Sequence, residues 1–175
     1  VPNNLNDEIT HLSFSQTAEY FKNRFGLTES IEEIMNAWNS MAHNHYTKNV
    51  KLKEGALEYL QKLKNSGIKI GLATSNSIPL LTTTLKSNNA FHLFDAITVT
   101  DEVKKSKSNP DIYLLAAKKL NVNPSECMVF EDIIAAVNGA KLAGMKVTGV
   151  YDDHAKHQEE IMKEKDGIED YLNLR

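Results

Sequence analysis

From about residue 50 onward the chain alternates between short apolar runs and stretches of helical periodicity, and this alternation constrains the fold more than any other feature. Four runs read as strands: Ile68 to Ala73, Ala96 to Thr100, Cys127 to Phe130 and Lys146 to Val150. Between them lie three helical stretches, about Pro79 to Ser87, Asn109 (as cap, with Pro110 in the first turn) to Leu120, and Ile133 to Ala143, the last stopped by Gly144. A further helix, Gly55 to Lys64 with Leu57, Leu60 and Leu63 on one face, precedes the first strand and ends at Gly67. Strands separated by helices must run parallel, joined by right-handed crossovers. The expected fold is therefore a doubly wound α/β sheet.

Before residue 50 the periodicity is purely helical. Ser13 or Ser15 can cap a helix whose apolar residues are Phe14, Ala18, Phe21 and Phe25, and Gly26 stops it. Ser30 with Glu33 three residues on forms a capping box, followed by an apolar face of Ile31, Ile34, Met35, Trp38, Met41 and Ala42. The chain thus divides into a helical unit, residues 1–49, and an α/β unit, residues 50–175. His43 and His45 close the second helix without a third ligand nearby, so they read as a polar helix end and not as a metal site. The tail from Asp152 reads as a polar helix with an apolar finish at Ile168, Tyr171 and Leu172.

Composition excludes several classes of function. A net charge of -3 provides no basic field for nucleic acid and no polybasic membrane patch. No stretch reaches the length of a transmembrane helix. The single cysteine, Cys127, lies in an apolar run and reads as a buried thiol, which fits a reducing cytoplasm. Val1 is not an initiator methionine, so translation is expected to start upstream.

Ligands of open parallel sheets bind beyond the carboxyl ends of the strands. The first strand runs into Thr74-Ser75-Asn76-Ser77, and the second into Asp101-Glu102 and a lysine-rich loop, Lys104 to Lys107. The third ends in Glu131-Asp132 and the fourth in Tyr151-Asp152-Asp153. One rim gathers hydroxyls and N–H groups suited to phosphate, a cation, and paired carboxylates suited to Mg²⁺. Each element alone has a plainer explanation: a turn with its cap, a solvated lysine, an acidic N-cap.

In this order the motifs resemble the haloacid dehalogenase-like superfamily, in the branch of β-phosphoglucomutases and small sugar-phosphate phosphatases. Ile70 to Ser77 resembles its second motif, Lys107-Ser108-Asn109-Pro110-Asp111-Ile112-Tyr113 its third, and Val129-Phe130-Glu131-Asp132 with Gly139 to Met145 its fourth. The match covers roughly residues 50 to 151, and the preceding helices are similar to half of the family's cap. Ser108 stands where the family has Pro, and Ile133 and Ala136 where it has Ser and Gly. The resemblance implies a Rossmann-like core and an aspartyl-phosphate mechanism on a small phosphorylated metabolite. It further implies that Thr74 and the N–H groups of Ser75 and Asn76 hold the phosphoryl oxygens. Lys107 would balance the nucleophile's charge, and Asp132, assisted by Glu131, would bind Mg²⁺.

The family's first motif, an Asp-x-Asp ending an opening strand, has no counterpart here: no Asp-x-Asp occurs in the sequence. That strand is expected upstream of Val1, and the 175 residues alone are expected to be inactive. In the family it lies between the strands ending at Thr74 and Phe130, so these two should not pair. A separate N-terminal segment or another chain would complete the sheet. A phosphosugar mutase and a non-catalytic regulatory domain are the alternative readings.

Overall fold

The computed structural model describes residues 5–9, 12–153 and 157–163. The expected apolar finish at Ile168, Tyr171 and Leu172 lies outside them.

Three helices come first: α1 (Leu5–Ile9), α2 (Phe14–Phe25) and α3 (Ile31–Lys48). Ser13 rather than Ser15 caps α2, in a capping box with Gln16, and Gly26 ends it in the left-handed conformation (φ 63°). Ser30 and Glu33 cap α3 in the same way. The two helices pack through an aromatic cluster in which Trp38 meets Phe14 and Phe21 edge-on at 5.7 and 5.2 Å.

The α/β unit follows in the expected order: α4 (Ala56–Asn65), β1 (Gly71–Thr74), α5 (Ile78–Ser87), β2 (Ala96–Val99), a short α6 (Thr100–Val103), α7 (Asp111–Leu120), β3 (Met128–Glu131), α8 (Ile134–Leu142), β4 (Lys146–Gly149) and α9 (Gln158–Ile161). The boundaries shift in places. β1 begins at Gly71, because Ile70 is tied to Asp95, whose side chain accepts the Ile70 N–H. β3 runs one residue further than expected and carries Glu131 as its last residue. Asn109 does not cap α7: its carboxamide donates to Ser106 O instead, and Pro110 takes the cap position. Cys127 is half-buried rather than fully buried, and burial pushes its thiol pKa up.

All strand pairing is parallel, but among the described residues the strands form two separate pairs. β1 lies beside β2, with Thr74 opposite Val99; β3 lies beside β4, with Glu131 opposite Gly149. As expected, β1 and β3 do not pair with each other.

The packing nevertheless puts both pairs in one layer. Ala73 of β1 and Val129 of β3 rest on the same buried cluster, built by Ile112, Tyr113 and Ala117 of α7 and Val137 and Ala140 of α8. On the opposite face, Leu72 of β1 packs with Leu57 and Leu60 of α4, while Phe130 of β3 meets Tyr59 of α4 at 5.8 Å. Neighbouring residues of a strand point to opposite faces, so α4 lies on one side of the layer, while on the other α7 covers β1 and β2 and α8 covers β3 and β4. The inner edges of β1 and β3 thus face a gap roofed and floored by helices. The helical unit joins this body at the strands' carboxyl ends, where Ser13 and Ser15 both donate to Asp101 Oδ1, the former at 2.6 Å.

Candidate active site

The carboxyl end of every strand carries polar chemistry. Thr74 is the last residue of β1, and its Oγ accepts the Asn76 N–H at 3.1 Å. That bond folds the turn back on itself and leaves the Thr74 hydroxyl proton free for an outside acceptor. Asn76 Oδ1 accepts the Ser77 N–H at 2.8 Å, so its NH₂ group is the end left to offer. The Ser75 Oγ is buried without a partner among the described residues, as are Thr98 Oγ1 and Thr100 Oγ1 of the adjacent strand end. Ser75 therefore presents main chain rather than hydroxyl to the rim.

Lys107 reaches the site from the loop after α6. The sequence assigned it to a nucleophile's charge and Glu131 to a metal; the structure pairs the two with each other. Lys107 Nζ forms an ion pair with Glu131 Oε1, with side-chain exposures of only 14% and 5%. The same oxygen accepts from the Tyr113 hydroxyl at 3.1 Å, and that hydroxyl also lies 2.9 Å from Ala136 O. Tyr113 is 2% exposed, and burial first, then the Glu131 charge, drives its pKa far above the ordinary phenol value. A tyrosine so placed is a permanent donor. Glu131 Oε1 is thereby occupied from the inside, leaving Oε2 as its only oxygen for the rim.

The Lys107 loop is held by close backbone packing. A Cβ on Gly139 of α8 would sit 2.0 Å from Lys107 O and 3.0 Å from Asn109 O, so only glycine lets α8 approach the loop this closely. The neighbouring lysines are committed elsewhere or exposed: Lys105 pairs with Asp111 at 2.8 Å, and Lys104 is exposed.

Asp132 follows Glu131 directly, is half-buried, and has no hydrogen-bond or ion-pair partner among the described residues. Among the described residues no group of three or more His, Cys, Asp or Glu forms a metal cage. This donor set suits Mg²⁺, which takes oxygen ligands, keeps several waters, and is held by one or two carboxylates plus substrate phosphate. It does not suit a fully protein-ligated Zn²⁺. His43 and His45 are exposed, and His45 Nδ1 lies 2.9 Å from Asn49 Nδ2, a local helix-end contact.

Lys107, Glu131 and Tyr113 are in direct contact, and Asp132 adjoins them in the chain. Thr74 closes β1, and Ser75 and Asn76 follow it in the turn beyond that strand's carboxyl end. The sequence reading missed Tyr113 as a functional residue; the only signal was an aromatic position behind Pro110-Asp111.

Residues 3–150 match the sequence profile of the haloacid dehalogenase-like hydrolases, and the chain belongs to that family. YhcW of Bacillus subtilis, named provisionally as a phosphatase, is 37% identical over 131 residues, 73% of this chain and 58% of that protein. The phosphorylated carbohydrates phosphatase of Thermotoga maritima is 32% identical over 120 residues, 69% of this chain and 56% of its own length. The β-phosphoglucomutase of Bacillus subtilis is 40% identical over 100 residues, 57% of this chain and 43% of that enzyme. The chain thus spans about half the length of these relatives. The fold is that of CbbY from Rhodobacter sphaeroides, solved in complex with phosphate (TM-score 0.84, 22% identity, 96% of this chain and 77% of CbbY). It is equally that of β-phosphoglucomutase from Clostridium difficile (TM-score 0.78, 24% identity, 100% and 78%).

Proposed function

We propose that this chain supplies the phosphate-binding and charge-balancing parts of a Mg²⁺-dependent phosphoric monoester hydrolase that acts on a small phosphorylated metabolite. The observation carrying this reading is the buried Lys107–Glu131–Tyr113 group, which sits at the strand ends beside an uncommitted Asp132. The family match, and relatives named as phosphatases, support the same reaction class.

The residues divide the work. The Thr74 hydroxyl, its oxygen already accepting from Asn76, donates its proton to a phosphoryl oxygen, and the Asn76 carboxamide adds a second donor. The Lys107 ammonium stays fixed near the phosphoryl group and offsets negative charge as it develops. Glu131, locked by Tyr113, keeps that ammonium from swinging into solvent. Asp132, with Oε2 of Glu131 behind it, would hold Mg²⁺, which when bound neutralises phosphoryl oxygens. The attacking carboxylate comes from an additional strand between β1 and β3, from an N-terminal segment or another chain; it displaces the alcohol of the ester as the aspartyl-phosphate forms, and water then hydrolyses that intermediate to inorganic phosphate and the free carboxylate. The helices of residues 1–49 serve as part of a cap over this rim.

The test is hydrolysis of a panel of phosphate monoesters with and without Mg²⁺. The 175-residue chain is expected to turn over none. A chain extended upstream by a strand carrying an aspartate at its carboxyl end is expected to show Mg²⁺-dependent release of inorganic phosphate. Robust turnover by residues 1–175 alone, or Mg²⁺-independent turnover by the extended chain, overturns the proposal.

A further inference from the structure

Asp132 and Ile133, the two residues that join β3 to α8, have little local means of holding their shape. Ile133 stands at the cap position of α8 and offers no side-chain acceptor, and the first turn of that helix holds no acidic residue. The main chain on either side is tied down: Glu131 O accepts the Val150 N–H at 2.8 Å, and Ile133 O accepts the N–H groups of Ala136 and Val137, both at 2.9 Å. A further tie comes from α7. The Tyr113 hydroxyl lies 3.1 Å from Glu131 Oε1, just before Asp132, and 2.9 Å from Ala136 O, just after it. Tyr113 is 2% exposed, so water does not compete for that hydroxyl. A phenol has one proton, and a carboxylate and a carbonyl can only accept it. Both acceptors stay within reach only while the end of β3 and the first turn of α8 keep their spacing. The Ala136 carbonyl alone would satisfy a buried phenol, and Lys107 alone would balance the Glu131 charge. The hydroxyl set between them adds a clamp across Asp132.

We propose that Tyr113 is a positioning residue for a divalent cation: through Glu131 and Ala136, its hydroxyl holds the Asp132 turn in the shape that binds the ion. This inference rests on the Mg²⁺ reading of Asp132. Tyr113 acts through the residues on either side of Asp132 and does not itself ligate the ion. The lock that α8 lacks at its own cap position is thus supplied by a neighbouring helix.

The experiment measures Mn²⁺ binding to the full 175-residue chain by electron paramagnetic resonance of the free ion, with Mg²⁺ as competitor, beside urea unfolding of the same proteins. Tyr113→Phe keeps the ring and removes the hydroxyl. Its folded form should bind Mn²⁺ about tenfold more weakly than wild type, the scale of a lost group that orients a metal ligand. Leu85→Ala, in the separate core cluster of α5, is the control for a merely structural effect: it should lower stability and leave Mn²⁺ affinity unchanged. Should Tyr113→Phe fail to fold, the wild-type chain carries the test, because the Tyr113 ¹³Cζ resonance should shift as Mg²⁺ saturates. Equal Mn²⁺ affinity in wild type and Tyr113→Phe overturns the proposal. So does an equal loss of affinity in Leu85→Ala, or a Tyr113 resonance that saturating Mg²⁺ does not move. Failure of the wild-type chain to bind Mn²⁺, or Asp132→Asn binding as tightly as wild type, refutes the metal reading itself, a distinct result.

Discussion

Replacing Lys107 with methionine isolates the interaction on which the site is built. The pair it breaks is buried, with side-chain exposures of 14% for Lys107 and 5% for Glu131. Loss of one partner leaves an uncompensated carboxylate, which typically costs about 3–5 kcal/mol. The lower end applies, because the Tyr113 hydroxyl still lies 3.1 Å from Oε1. The expected loss is therefore about 3 kcal/mol, or about 6–12 °C in Tm for a chain of this size. Glu131→Gln should cost less, about 1–2 kcal/mol, since the long lysine stem can turn its ammonium to water. The double variant should cost about 2 kcal/mol less than the sum of the two single ones, because the second change removes the group that the first left stranded. Urea unfolding of the four proteins, followed by circular dichroism with a common m-value, measures this directly. Additivity within about 0.5 kcal/mol would refute a coupled buried pair, and Lys107 would then be a solvated surface cation.

Two further perturbations probe what holds the site and the sheet. Gly139→Val puts a branched side chain where a Cβ already meets Lys107 O at 2.0 Å, and should cost about 3 kcal/mol or more through overpacking, with faster amide exchange in the loop 104–109 than in β4; unchanged exchange there would free the loop from α8. Asp95 bonds Lys64 and the Ile70 N–H, which hold its pKa below the ordinary carboxylate value; a depressed carboxylate stabilises above its unfolded pKa of about 3.9 and loses that contribution as pH falls through its folded value, so the stability gap between wild type and Asp95→Asn should close on acidification below about pH 4, and a gap constant with pH would contradict it.

The periodicity from residue 50 onward carried the parallel α/β architecture, because strand–helix alternation admits little else, and the strand ends carried the positions of Thr74, Lys107, Glu131 and Asp132. Boundaries failed where a side chain overrides propensity. Ile70 is apolar and buried, yet the Asp95 carboxylate takes its N–H. Asn109 is a favoured cap residue before a Pro-Asp start, yet Ser106 O captures its amide. What could not be read at all was which rim groups touch. Lys107 and Glu131 each have an obvious separate role in sequence, and only the close packing of α8 at Gly139 onto the lysine loop brings them together. The Ser77–Asn39 bond, 2.6 Å long, was hidden for a different reason: Asn39 follows Trp38 on a helix read by its apolar face, and Ser77 lies 38 residues away.

The separation of β1 from β3 bears on the site as well as the sheet. Each strand has four residues, and a parallel strand directs the N–H and C=O groups of alternate residues to one side. The two inner edges together therefore present about eight backbone groups to the gap between α4 on one side and α7 and α8 on the other. Apart from Glu131 the residues that carry them are half-buried or exposed, so the open row is a template for a further strand. Side chains cannot satisfy such a row, because Phe130 turns toward α4, Leu72 toward the cluster on which α4 packs, and Ala73 and Val129 toward the cluster shared by α7 and α8. A strand can, and its geometry is then fixed. Neighbouring strands lie about 4.8 Å apart, so one strand fits where the flanking pair stand roughly 9–10 Å from each other. Its residues would be apolar on both faces, since α4 lies on one side of the layer and the α7–α8 cluster on the other. Run parallel to its neighbours, it would end between Thr74 and Glu131, and the first residue beyond it would meet the Lys107 ammonium. On the proposed function, a single element would then supply both the pairing that completes the sheet and the carboxylate that completes the chemistry, so ordering of this layer and assembly of the site would be one event.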